Sequence, residues 1–284
     1  MGGIYLTELA SWLRTGGLNV VEYPDWQYRS RSSGGYDNYP LCVMWHHTAS
    51  PKSWDGQRDA DYLAVGDDAC PVSNLYIDRS GTVWVIAGGA TNTNGKGKSL
   101  SFSRGTVPAD SMNTRALGVE MGNDGVGEQW PERQVNAMFL VNNVCNSRFG
   151  NVPTDLSTHN YYAPDRKIDP ATTNVAGPWK PASCNSSGTW SIDSVRSEAS
   201  RRAGNPVPIP PQPQPPGDID VEKYLVRDTD GYPWVTDFAS YATSITEEQA
   251  ADGVNMRGYV KGADNHPFPL SPSDTDLMHR LSER

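Results

Sequence analysis

A proline-rich tract at residues 206–216 is the sequence feature that most limits how this chain can fold. Such a tract adopts an extended polyproline conformation with a rise of about 3.1 Å per residue, so this one reaches on the order of 30 Å. A compact domain does not readily accommodate a spacer of that length. We therefore predict a large domain over residues 1–204, a linker over 205–217 and a small module over 218–284.

The two predicted domains differ in charge. Residues 218–284 carry 6 Lys and Arg against 13 Asp and Glu, a net charge of −7, whereas the remaining 217 residues carry 18 against 20 and are nearly neutral. An acidic surface repels phosphate groups, so nucleic acid is not an expected partner. No apolar run approaches the roughly 18 residues that a membrane span requires, and none is predicted.

Two further features bear on the cellular compartment. The first residues have neither the basic patch nor the apolar block of a signal peptide, so we expect synthesis in a cytoplasm without an export signal. The cysteines are far apart and include no Cys-x-x-Cys pair, which excludes an ordinary zinc finger or thioredoxin motif. Buried free thiols are the first interpretation and one disulfide is the alternative. The four positions are Cys42, Cys70, Cys145 and Cys184.

Helical and strand patterns alternate along the large domain. Helical patterns cover residues 4–13, 57–65, 131–150 and 191–202; strand patterns cover 18–23, 41–46, 73–77, 82–86 and 116–121; residues 24–40 and 88–104 read as loops. This alternation predicts an α/β domain, with a mixed central sheet flanked by helices. In the tail, two apolar stretches around an Asp-Gly turn, followed by helical patterns at 246–249 and 273–284, predict a small α+β module.

A histidine, a lysine and an aspartate lie close together in the stretch from His159 to Asp169. Pro164 and Pro170 stiffen this loop, and we expect them to keep Lys167 and Asp169 near His159. A plain surface loop needs neither proline. The stretch therefore has the residue types and the rigidity of a functional site.

A second histidine pair, His46 and His47, follows the predicted strand at residues 41–46. Neighbouring residues on a strand point to opposite faces, so only His46 shares a face with Met44 and can reach a common site. Zinc hydrolases usually take three protein ligands and leave a fourth position for water. His46, His159 and Asp169 supply such a set, although on spacing alone two structural histidines are an equal alternative.

Glu120 is the next candidate, because it interrupts the apolar strand pattern at residues 116–121. A carboxylate is costly to bury without a partner. Glu120 is therefore either a strand residue on a solvated face or a general base that activates water.

Three segments together resemble the type 2 N-acetylmuramoyl-L-alanine amidases, a family that includes the peptidoglycan recognition proteins. They are Trp45-His-His-Thr-Ala49, Leu117-Gly-Val-Glu120 and His159-x-x-x-Ala-Pro-x-Arg-Lys-x-Asp169-Pro. Residues 72–83 resemble the hairpin of that family, and the similarity runs over about residues 38–172. The opening segment and the order of domain, spacer and tail are similar to amidase-type endolysins of phages that infect actinobacteria.

The resemblance implies the fold and chemistry of that family. It implies zinc (Zn²⁺) held by His46, His159 and Asp169, with Glu120 taking a proton from the attacking water. Lys167 would stabilise the developing oxyanion. The bond cut would join N-acetylmuramic acid to L-alanine in peptidoglycan.

Two positions depart from the family pattern. Ser73 stands where some relatives have Tyr, and Asn74 stands where several have His. Activation of water is therefore expected to depend on Glu120.

The resemblance also implies a biological role, that of a phage endolysin that causes host cell lysis. The protein would wait in the host cytoplasm until a holin-like pore gave it access to the cell wall. We expect the tail to bind a neutral cell-wall glycan through Trp234, Tyr232 and Tyr259. A packing or oligomerisation domain is the alternative for this module.

Two other functions stay open for the large domain. One is a non-catalytic peptidoglycan-binding protein on the same fold, although proteins of that type typically lose a metal ligand. The other is a zinc hydrolase for a different amide, such as one within the stem peptide.

Overall fold

Strands and helices alternate in the structure, as the sequence predicts. The computed structural model describes residues 3–66 and 68–204, and the backbone of residues 224–227, 233–236 and 242–244. By its contacts the chain divides into two units, Met1–Pro210 and Pro211–Arg284. The predicted linker lies outside the described residues, and the predicted domain boundaries stay a prediction.

The elements of the first unit are the helices α1 (Leu9–Thr15), α2 (Gln57–Val65), α3 (Glu132–Phe149), α4 (His159–Tyr162) and α5 (Ile192–Gly204), and the strands β1 (Val20–Glu22), β2 (Cys42–His47), β3 (Leu75–Ile77), β4 (Val83–Val85), β5 (Leu100–Phe102), β6 (Gly105–Val107), β7 (Ala116–Met121) and β8 (Leu156–Thr158). Short 3₁₀ turns lie at Trp26–Tyr28, Lys52–Trp54 and Met112–Thr114. Among the described residues, no helix combines the length and the apolar character that crossing a bilayer requires.

Three predicted segments differ from the structure. The first helix begins at Leu9 rather than at residue 4, because Ile4 pairs with Tyr36 in an isolated bridge. The predicted loop at residues 24–40 is not wholly at the surface, since Trp26 and Tyr36 are buried in the core. The predicted loop at residues 88–104 ends in β5, which forms a small hairpin with β6.

The central sheet has the strand order β1-β4-β3-β7-β2-β8. β3 and β4 form the predicted antiparallel hairpin, and every other neighbouring pair is parallel. Parallel neighbours need crossover connections, which place helices over the faces of the sheet. The mixed sheet with flanking helices confirms the predicted fold class.

Alternation along the strands sorts the side chains between two faces. Leu117, Val119 and Met121 of β7 join the main core, which also takes in α1, α3 and α5. A second cluster packs α2 against Tyr76 of β3 on the opposite face. Glu120 alternates with these apolar residues along β7, so it points away from the main core.

Asn74 is the polar residue that ties this sheet to the loops around it. Its Oδ1 accepts hydrogen bonds from the Tyr36 hydroxyl (2.8 Å), the Thr91 hydroxyl (3.1 Å) and the Gly118 N–H (3.0 Å). Its Nδ2 donates to the carbonyls of Ala87 (2.9 Å) and Gly89 (2.7 Å). The amide is fully buried and fully bonded, so its role here is structural.

Replacing Asn74 with Ala is expected to lower the free energy of unfolding by about 2–4 kcal/mol, because several buried groups lose their partners at once. Denaturant unfolding of the purified variant measures this loss. The exposed Asn38 is a matched control, and Asn38→Ala should change stability by no more than about 0.5 kcal/mol. Equal stability of the two variants would contradict the structural role of Asn74.

The second unit contains a three-stranded antiparallel sheet. Its strands are β9 (Tyr224–Arg227), β10 (Pro233–Thr236) and β11 (Ala242–Ser244), in the order β11-β10-β9. β9 and β10 pair antiparallel on either side of the predicted Asp-Gly turn. The turn itself, both predicted tail helices, Tyr232 and Tyr259 lie outside the described residues.

Candidate active site

The carboxyl ends of three neighbouring parallel strands meet at one edge of the sheet. β2 lies between β7 and β8, and the register places His46 beside Glu120. His159 is the first residue after β8. Ligands in open α/β sheets bind beyond the carboxyl ends of the strands, so the topology directs all three residues to the expected place.

The three predicted metal ligands converge in the structure. Nδ1 of His46 lies 2.8 Å from Nδ1 of His159, and Oδ2 of Asp169 lies 3.0 Å from the latter and 3.2 Å from the former. All three residues are buried. Among the described residues, no other group of three or more histidine, cysteine or acidic side chains has metal-binding geometry.

The outer nitrogen of each ring contacts an oxygen of Asn94. Nε2 of His46 lies 3.1 Å from Oδ1 of Asn94, and Nε2 of His159 lies 3.0 Å from its main-chain oxygen. A carbonyl oxygen only accepts hydrogen bonds, so each Nε2 carries the proton and donates. The lone pairs on both Nδ1 atoms then face the carboxylate.

Three acceptors pointing at one another are stable together only around a cation. Ligand atoms about 2.0–2.1 Å from a tetrahedral zinc ion lie roughly 3.3 Å apart. The separations of 2.8–3.2 Å are close to that spacing. The residues therefore fit a metal ion with nitrogen and oxygen ligands.

The ionisation of the cluster supports the same conclusion. Burial, together with His46, lowers the pKa of His159 to about 4, so its ring is neutral near pH 7. A metal ligand must be deprotonated, and the neutral ring of His159 meets that condition.

The segment that follows Asp169 is held by aromatic side chains that the sequence did not single out. The indole N–H of Trp130 donates to the carbonyl of Ala171 (3.2 Å), and that of Trp190 donates to the carbonyl of Thr172 (2.9 Å). On the other side, the N–H of Asn160 donates to the carbonyl of Asp169 (2.9 Å). These bonds explain how a loop residue reaches the histidines.

Glu120 faces a cleft rather than an open surface, and its Oε2 is buried without a hydrogen-bond partner. Burial raises the pKa of Glu120; His46 and Lys167 lower it, Asp169 raises it, and the net value is about 7. A carboxylate with a pKa near neutrality is well matched to exchange protons with water. Of the two interpretations drawn from the sequence, the solvated strand face does not fit this environment.

Lys167 is half-buried, and its main-chain N–H donates to the carbonyl of Ala163 (3.0 Å). Its charge lowers the pKa of both Glu120 and His159, so the ammonium group lies within electrostatic reach of the cluster. The structure thus brings together all five predicted site residues. Their catalytic and metal-binding roles stay predictions.

A cleft of about 310 Å³ opens beside the cluster. Its lining includes Thr48, Ala49, Trp54, Tyr62, Val72 and Glu120. Tyr62 is 45 % exposed, and its ring centroid lies 6.1 Å from that of Trp54. This aromatic wall was not predicted from the sequence, although an aromatic residue on the exposed side of a helix is a usable signal.

The remaining predicted positions have structural contacts. His47 points to the opposite face from His46, as alternation predicts, and contacts Ala171 through Nδ1 (3.2 Å). The buried Ser73 hydroxyl donates to the carbonyl of Leu75 (2.7 Å).

None of the four cysteines forms a disulfide, so the disulfide alternative finds no support. Cys42 and Cys145 are buried, as predicted. Cys70 is only partly buried and Cys184 is exposed, so the prediction of burial is wrong for these two.

Comparison with known proteins adds one family and several structures. The family model described as N-acetylmuramoyl-L-alanine amidase matches residues 36–172. A selenomethionine derivative of AmpD is 21 % identical, covering 54 % of this chain and 87 % of that protein, with a TM-score of 0.40. The amidase LysC from Clostridium intestinale is 15 % identical over 55 % of this chain and 91 % of its own, with a TM-score of 0.39. No curated protein sequence matches significantly.

Proposed function

We propose that the protein is a zinc-dependent endolysin. The proposal starts from the match of residues 36–172 to the N-acetylmuramoyl-L-alanine amidase family. The protein hydrolyses the amide between N-acetylmuramic acid and L-alanine in peptidoglycan. The observation that carries the proposal is the convergence of two imidazole nitrogens and one carboxylate oxygen within 2.8–3.2 Å of one another, beside Glu120.

His46, His159 and Asp169 would hold the zinc ion. When bound, zinc activates water and polarises the scissile carbonyl. The donor set of two neutral imidazoles and one carboxylate leaves a net positive charge at the site, which favours attack on a carbonyl. Three protein ligands would leave one position for water, which is the composition of catalytic zinc sites.

The neighbouring residues move the proton and stabilise charge. Glu120 accepts a proton from the attacking water and returns it to the leaving amine of L-alanine as the carbon–nitrogen bond breaks. Burial raises the pKa of Glu120 above its usual value, which helps this side chain to take up the proton and release it again. The ammonium group of Lys167 stabilises the negative charge that develops on the carbonyl oxygen.

The cleft beside Glu120 is the proposed site for the substrate. Its polar and aromatic lining suits a short stretch of glycan and peptide, because sugar rings and methyl groups pack against aromatic faces. Trp54 and Tyr62 provide that surface on one wall.

The biological role follows from the lytic chemistry. We propose that the protein waits in the cytoplasm of an infected host, reaches the wall through a holin-like pore and causes lysis. The acidic second unit is proposed to bind a neutral cell-wall glycan and to hold the catalytic unit at the wall.

The metal assignment is tested by removing a ligand. The wild-type protein is expected to bind about one zinc ion, and excess zinc should raise its unfolding temperature by selective binding to the folded state. His159→Ala should lose both effects, because two ligands do not hold the ion. Metal analysis and thermal unfolding with and without a chelator measure this. A wild-type protein that is metal-free and indifferent to chelators while still degrading peptidoglycan would exclude a zinc mechanism.

The role of Glu120 is tested by Glu120→Gln, which keeps the size of the side chain and removes the base. Zinc content should be unchanged, and release of L-alanine amino termini from cell walls should fall by about 10²–10⁴-fold. Glu8→Gln, at an exposed position, is the matched control and should be fully active.

The products separate the competing functions. Mass spectrometry should find fragments with free L-alanine amino termini. Fragments cut within the stem peptide would indicate a different amidase. Wall binding by the zinc-loaded wild type without any product would indicate a non-catalytic binding protein.

The second unit is tested by removing residues 218–284. The shortened protein is expected to cleave soluble peptidoglycan fragments at the wild-type rate but to sediment poorly with purified cell walls. Equal sedimentation of both proteins would contradict a targeting role.

A further inference from the structure

Asn94 contacts both histidines of the cluster, one through its side chain and the other through its main chain. Its Oδ1 accepts from Nε2 of His46 (3.1 Å), and its carbonyl oxygen accepts from Nε2 of His159 (3.0 Å). The side chain is buried. No sequence motif pointed to this residue.

The two contacts have different chemical requirements. Any residue at position 94 would offer a carbonyl oxygen to His159. Only a side chain with an oxygen acceptor at the right length can accept from His46. The tautomer of His46 therefore depends on the asparagine side chain and should change when that side chain is removed. The tautomer of His159 depends on the path of the backbone at residue 94 and should not change.

The backbone path at residue 94 is fixed from several sides. Oδ1 of Asn113 accepts from the N–H of Asn94 (2.8 Å), and the guanidinium of Arg166 donates to the carbonyl of Asn94 (2.8 Å). Beneath it, Thr93 packs so closely on Gly118 that a Cβ at position 118 would lie 2.3 Å from the threonine hydroxyl. The loop is thus pressed onto the sheet beside His46.

A histidine binds metal through one ring nitrogen only when the other carries the proton. A hydrogen bond from that second nitrogen to a carbonyl or carboxylate orients the ring and fixes the tautomer. Without the Asn94 side chain, His46 has no described acceptor for Nε2. Its proton can then move to Nδ1 and point into the cluster.

We propose that Asn94 is a positioning residue that holds His46 and His159 with their Nδ1 lone pairs directed at a shared zinc ion. The inference rests on the proposed zinc site and names the residue that prepares it. Asn94 does not touch the substrate. It acts through the two histidines.

The test uses the full chain and two readouts other than catalytic activity. Nitrogen-15 NMR of labelled histidines reports which ring nitrogen carries the proton, and competition with a chelator gives the zinc Kd. In the wild type before zinc is added, both His46 and His159 should be protonated at Nε2. A wild-type His46 protonated at Nδ1 would overturn the proposal without any variant.

Asn94→Ala should weaken zinc binding by about 10–100-fold and shift His46 toward the Nδ1-protonated form, while His159 keeps its tautomer. Asn94→Asp retains an acceptor of the same length and should restore both the tautomer of His46 and zinc affinity close to the wild type. Asn92→Ala is the matched control, because its amide donates to the carbonyl of Ala69 (2.8 Å), away from the histidines.

The outcomes distinguish this inference from the proposed function. If the wild type binds no zinc, the proposed function fails. If the wild type binds zinc and Asn94→Ala binds it equally well with an unchanged His46 tautomer, only the role of Asn94 fails. An Asn94→Asp variant as weak as Asn94→Ala would show that packing, not the acceptor, matters, and would also overturn the proposal.

Discussion

The parallel pairing of β2 with β7 and β8 is the constraint on which the site depends. It brings three strand ends to one edge of the sheet, with His46 in register with Glu120 and His159 one residue beyond its strand. A shift of one residue in β2 would turn His46 into the main core and His47 toward the site. Because Val43 and Trp45 are fully buried on the core face, the hydrophobic effect that fixes the register also orients the site.

Burying two imidazoles and a carboxylate at that edge requires partners for every polar atom. The protein supplies them through loops rather than through the sheet. The loop carrying Asn94 satisfies the outer nitrogens, and the indoles of Trp130 and Trp190 hold the chain that follows Asp169. Nδ1 of His46, Nδ1 of His159 and Oδ2 of Asp169 then face one another, and only a cation satisfies all three. The core thus contributes both apolar burial and directed hydrogen bonds to the site.

The parts of this arrangement that are local in sequence could be predicted from the sequence. Period-two alternation separates His46 from His47 and turns Glu120 away from the main core, and the structure shows both. His159 and Asp169 are close in the sequence, and their side chains are also close in the structure, with Nδ1 and Oδ2 3.0 Å apart. Asn94 and Trp190 could not be found in this way, because their importance comes from contacts with residues 48 and 18 positions away. The β5–β6 hairpin was missed because each of its strands buries only one residue, Leu100 or Val107.

Position 74 connects the fold to the chemistry. The sequence departs from the family pattern at this position, and Asn74 is hydrogen-bonded on all sides in a buried network that includes Thr91. The Thr91 hydroxyl lies 2.5 Å from that of Thr93, the residue next to Asn94, so a chain of hydrogen bonds connects Asn74 to the loop beside the histidines. An amide with no free donor or acceptor cannot also activate water. The hairpin therefore supports the loop beside the histidines, and on the proposed mechanism the proton passes to Glu120, whose Oε2 is buried without a hydrogen-bond partner.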